Sequence, residues 1–151
     1  MIERRQVLLG LSASSLAATG MASADEAAPH VHRLAIQVSE NRPELMTMAL
    51  NNAVNVSRAY SAKGEDVSIE IVAYGPGLHM LRQDTSPVKE RIATFPKSMP
   101  NVSFSACQNT IDGMAHAEGK PVVLIPETKT VEAGVVRLME LQEQGWSYIK
   151  V

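Results

Sequence analysis

Two kinds of apolar spacing alternate along this chain. Arg33-Leu34-Ala35-Ile36-Gln37-Val38 and Val67-Ser68-Ile69-Glu70-Ile71-Val72-Ala73-Tyr74 are short, β-branched and strand-like. Between them Pro43 opens a helical pattern, a position where its missing N–H is not needed. In that helix Leu45, Met48, Ala49, Asn52, Ala53, Val56 and Tyr60 fall on one face, and Gly64 ends it. The turn Gly75-Pro76-Gly77 precedes short helical pieces over 78–82 and 88–95. Val102-Ser103-Phe104-Ser105-Ala106 reads as a third strand, ending at Cys107, and 109–117 as a short helix stopped by Gly119. Val122-Val123-Leu124-Ile125 is uninterruptedly apolar, which predicts a strand covered on both faces. Thr130 is the expected cap of a last helix in which Val131, Val135, Leu138, Met139 and Gln142 share a face, with Gly145 closing it. Trp146 to Lys150 forms a final strand. Five strands alternating with helices predict an α/β domain: a mostly parallel five-stranded sheet with helices on both sides.

The first residues follow a different logic. Arg4 and Arg5 precede an apolar stretch that carries no charge until Asp25 and ends in Ala22-Ser23-Ala24, a small-x-small cleavage pattern. The order is that of an export signal, and the paired arginines point to the twin-arginine route and the periplasm. The expected organisation is therefore a signal peptide over 1–24, a flexible polar leader over 25–32 and one α/β domain over 33–151. The apolar stretch is rich in Ser, Ala and Gly and at the short end of what a span needs, so no stable membrane span is expected after cleavage.

Charge and cysteine usage narrow the function classes. Removing residues 1–24 changes the net charge from −2 to about −3. That balance gives no reason to expect nucleic acid as a partner. The chain of 151 residues has one cysteine, so no internal disulfide forms and packing must supply stability. No cofactor fingerprint is present. The histidines are scattered: His30-x-His32 offers two metal ligands, which do not make a site, and no metal is expected.

In a parallel sheet, sites collect where strands end and helices begin. Four such junctions are expected on one edge: 39–41, Gly75-Pro76-Gly77, Cys107-Gln108-Asn109-Thr110 and Pro126-Glu127-Thr128. Cys107 is the sharpest candidate. At a strand end just before a helix, unpaired N–H groups and the helix dipole favour a thiolate, the nucleophile of thiol and persulfide chemistry. The alternative is a buried cysteine acting as a small apolar residue. Gly75 and Gly77 could present backbone N–H groups to an anion, or simply make a tight turn. His79 follows that turn and, if it faced Cys107, could move a proton. Asn109 and Thr110 complete the expected edge.

Four segments in order carry a family resemblance. They are 50–55 (LNNAVN), 72–77 (VAYGPG), 104–110 (FSACQNT) and 141–149 (LQEQGWSYI). With them the chain resembles the DsrE-like family over nearly all of the expected mature part. The resemblance implies a flavodoxin-like three-layer sandwich and a homo-oligomer, trimer or hexamer. The best understood members carry sulfur as a cysteine persulfide in sulfur oxidation or transfer-RNA thiolation. It thus implies that Cys107 is a sulfur acceptor, working with a sulfur donor or acceptor protein, in a periplasmic sulfur-handling protein. The competing expectation is a non-catalytic small-ligand-binding or oligomeric assembly module with a structural cysteine.

Overall fold

The computed structural model describes residues 31–151. The expected signal peptide and leader residues 25–30, with His30, lie outside the described residues. His32, expected at the end of the leader, instead opens the first strand.

The strands are β1 (His32–Val38), β2 (Val67–Ala73), β3 (Val102–Cys107), β4 (Thr128–Val131) and β5 (Ser147–Lys150). The helices are α1 (Pro43–Ser61), α2 (Lys89–Ile92), α3 (Phe95–Ser98), α4 (Gln108–Glu118) and α5 (Gly134–Glu143), with a 3-10 segment over Gly75–Leu81. All strand pairs are parallel, in the order β4-β3-β2-β1-β5. The fold is α/β, a flavodoxin-like three-layer sandwich; its strand order is its own, since flavodoxin runs 2-1-3-4-5.

Topology explains the layers. From β1 to β4 the chain steps one strand at a time in one direction, so right-handed crossovers keep α1, the 3-10 segment, α2, α3 and α4 on one face. The step from β4 to β5 then runs back across the sheet. The same handedness sends α5 to the other face.

The large core lies under the first group of helices. Leu34, Ile36 and Val38 of β1, Ile69 and Ile71 of β2 and Phe104 of β3 meet Met46, Ala49, Leu50 and Ala53 of α1. Phe95 packs edge-on against Phe104, ring centres 5.5 Å apart. Under α5 the apolar cluster is small: Ala35 and Val72 against Leu138 and Leu141, flanked by Tyr74 and Trp146.

Three expectations are corrected. The apolar run 122–125 is not a sheet strand. It lies between Pro121 and Pro126 as an extended segment that bonds residues 81–83 through Ile125 N–H to Leu81 O and Gln83 N–H to Val123 O, both 2.9 Å. Val123 is 61% exposed. The fourth strand is the polar Thr128–Val131, so Pro126-Glu127-Thr128 enters β4 rather than leaving it, and Thr130 does not cap a helix. The buried faces of α1 and α5 are rotated relative to expectation. Met48 is exposed while Met46 and Leu50 are buried, and Val135 and Met139 are exposed while Gly134 and Leu141 are buried.

Candidate functional site

The C-terminal ends of β1 to β4 share one edge of the sheet, because the strands are parallel. The residues leaving β3 and β4 diverge there. α4 departs toward the large core and α5 toward the opposite face, although β3 and β4 are neighbours. In open α/β sheets the crevice beside such a divergence is where ligands bind. Cys107 stands in it as the last residue of β3 and the residue capping α4, in register with Val131 of β4. The N–H of Asn109 donates to Glu132 O at 3.3 Å, tying the two departing segments together.

Two helix starts converge on the Cys107 sulfur. Its side chain is 5% exposed and belongs to neither apolar cluster. Burial pushes the thiol pKa up. Against that, the nearby Thr110 hydroxyl and the backbone N–H groups of Gly134, Thr110 and Asn109 favour the anion, and the net direction is a thiol held below its ordinary value. Two of those amides belong to the first turn of α4, and one is the first residue of α5. Each start contributes the positive end of its dipole.

The Thr110 hydroxyl is itself oriented. Its oxygen accepts the N–H of Gly75 at 3.0 Å, which leaves its own hydrogen for the sulfur. Gly75 has φ +52°, a conformation that suits glycine. Gly77 serves packing: a Cβ there would lie 2.2 Å from Val38 O. Its N–H donates to Tyr74 O at 3.1 Å. Both glycine amides of the turn are therefore taken by the protein's own acceptors, and the turn reading holds over an anion cradle. Tyr74 lies beside the crevice and packs against Gly134, where a Cβ would come within 2.9 Å of the Tyr74 Cβ.

His79 is partly exposed and has a partner of its own. Its Nδ1 pairs with Thr85 Oγ1 at 2.7 Å, and it is not among the groups that act on the sulfur. The side chain of Asn109 is exposed; its contribution is its backbone N–H. His32 is engaged by Glu65 Oε2 at 2.7 Å and stacks on Tyr60. Among the described residues no three His, Cys, Asp or Glu side chains cluster as metal ligands, and no helix is long and apolar enough to cross a membrane.

Two features of the site were missed in the sequence. A helix capped by Thr130 would hold Gly134 in its interior, yet α5 begins at Gly134 and its N–H helps to lower the Cys107 thiol pKa. Beneath the crevice, on the same sheet face, Glu70 is a carboxylate only 2% exposed. It accepts from Ser105 Oγ (2.6 Å), from Arg137 Nε and Nη2 of α5 (2.9 and 2.8 Å) and from Lys129 Nζ of β4 (3.2 Å). A glutamate at the fourth position of β2, among Ile69, Ile71 and Val72, was the available signal. The cluster pins α5 to the sheet one helical turn after Gly134.

No family model matches the chain, and no curated protein does. Among solved structures, a protein of unknown function, MTH1491 from Methanobacterium thermoautotrophicum, is similar in fold, with 28% sequence identity and a TM-score of 0.65 over 80% of this chain and 99% of that one.

Proposed function

We propose that this is a sulfur-handling protein in which Cys107 accepts a sulfane sulfur and passes it on as a persulfide. One observation carries the reading: the thiol sits where two helix starts converge, and their donors favour its anion. In the forward step the thiolate attacks the outer sulfur of thiosulfate or a polysulfide. The donor's S–S bond breaks, and sulfite or the shortened polysulfide leaves with the electron pair. No oxidant is consumed. Transfer to an acceptor thiolate is the reverse exchange, with Cys107 as the leaving group, and a low pKa favours that departure.

Export to the periplasm and a homo-oligomeric state, trimer or hexamer, are part of this proposal and rest on the sequence reading. A second reading, a non-catalytic assembly module with a structural cysteine, is favoured by the outer face of α5. Val135, Val136 and Met139 are 52%, 51% and 54% exposed there. Intact-mass analysis of the purified protein separates the two. After thiosulfate or polysulfide, the wild type is expected to gain the mass of one sulfur atom. The gain is reversed by a dithiol and absent in Cys107→Ser. A wild type that gains nothing rejects the carrier and leaves the assembly module.

A further inference from the structure

The opposite edge of the sheet, where β2 and β3 begin, carries a second feature unrelated to Cys107. A cleft of about 990 Å³ opens between the C-terminal half of α1 and the α2–α3 pair. That volume suits a small organic ligand. Its floor is apolar, formed by Val54, Val67, Phe95 and Met99. Its rim carries Arg58 from the last turn of α1 and Arg91 from α2. Neither guanidinium has an ion-pair partner or a side-chain hydrogen bond among the described residues. Two carboxylates also line the cleft: Glu65, whose Oε2 is paired with the His32 ring at 2.7 Å, and Asp66.

We propose that this cleft binds a small amphipathic anion, its oxyanion head on Arg58 and Arg91 and its apolar body over Phe95 and Met99. A guanidinium fork matches a carboxylate or a phosphate monoester with paired N–H donors. The apolar floor demands more than the head group. Inorganic phosphate gains nothing from Phe95 and Met99, and an alkylammonium offers the two guanidiniums no acceptor. The proposal does not depend on the chemistry of Cys107.

The test is an amide NMR titration of the full chain with four probes: octanoate, hexyl phosphate, inorganic phosphate and octylamine. Octanoate or hexyl phosphate is expected to give saturable shifts at Ser61, Ser98, Met99 and Asn101, and the tighter of the two names the head group. Arg58→Gln and Arg91→Gln are each expected to weaken that probe roughly tenfold. Both arginines lie at the cleft rim, and unchanged resonances around Cys107 report an intact fold. Absence of saturable shifts with either amphipathic anion would overturn the proposal. So would equal binding of octylamine, equal binding of inorganic phosphate, or affinity unchanged in both variants.

Discussion

Replacing Glu70 with alanine lowers the stability of the domain by about 3–5 kcal/mol, the range for breaking a buried ion pair from one side. The variant keeps Arg137 and Lys129 facing a carboxylate that is gone, beneath a helix held by few apolar contacts. Glu70 is the point where β2, β3, β4 and α5 meet through polar bonds. Burial alone would push its pKa up. Hydrogen bonds from Arg137 and Ser105 and the charges of Lys129 and Arg137 instead bring it down to about 2, from an ordinary 4.5. A carboxylate with a lowered folded pKa contributes stability above its unfolded value and loses it as pH falls through the folded one. Wild type should therefore lose on the order of 3 kcal/mol between pH 4.5 and about 2 from this group alone. Urea unfolding of wild type and Glu70→Ala across that window checks both statements. If the variant matches wild type at neutral pH, or keeps the same acid slope, the cluster does not hold α5.

Gly77→Ala is expected to cost at least about 3 kcal/mol, and to disturb the candidate site as well. The added Cβ would stand 2.2 Å from Val38 O, 2.6 Å from Val38 C and 2.8 Å from the Ser39 Cα. These are backbone atoms at the end of a central strand, and no side-chain rotation relieves the contact. The 3-10 segment must move away from β1, carrying Gly75 and its N–H off the Thr110 hydroxyl. Denaturant midpoints measure the stability loss, and the alkylation rate of Cys107 measures the effect on the site. A variant as stable as wild type would show that the segment shifts freely and that Gly75 does not fix Thr110.

The central strands were legible because they are buried on both faces. Toward the large core β1, β2 and β3 place apolar side chains at every second position, which the pattern states directly, while the face under α5 also takes Glu70 and Ser105. β4 was not legible. It is an edge strand with exposed Lys129 and Thr130, and its outward partner is a buried glutamate rather than apolar surface. The apolar run just before it drew the strand assignment, although flanking prolines suit an extended segment outside the sheet. The helix faces were displaced for a related reason. In α5 apolar residues occur on both sides of the helix, so spacing alone does not choose between Leu138 with Leu141 and Val135 with Met139.

At the site, the position of Cys107 between a strand and a helix was readable from local pattern. Its second helix was not. That α5 starts beside Cys107 depends on the order of strands in the sheet, and no local signal encodes it. Thr110 was placed at the edge by sequence, but its link to Gly75 spans 35 residues and follows from the pairing of β2 with β3. His79 shows the converse limit: proximity along the chain to a junction loop did not make it a neighbour of the sulfur.

The acidity of Cys107 is the claim on which the chemistry rests, and its alkylation rate against pH measures it in a chain with no other thiol. The folded protein should titrate at a lower midpoint than the same protein unfolded in denaturant, and Thr110→Val should move that midpoint up. A folded midpoint equal to or above the unfolded one would mean that burial outweighs the converging donors, and the sulfur would be a packed side chain rather than a nucleophile.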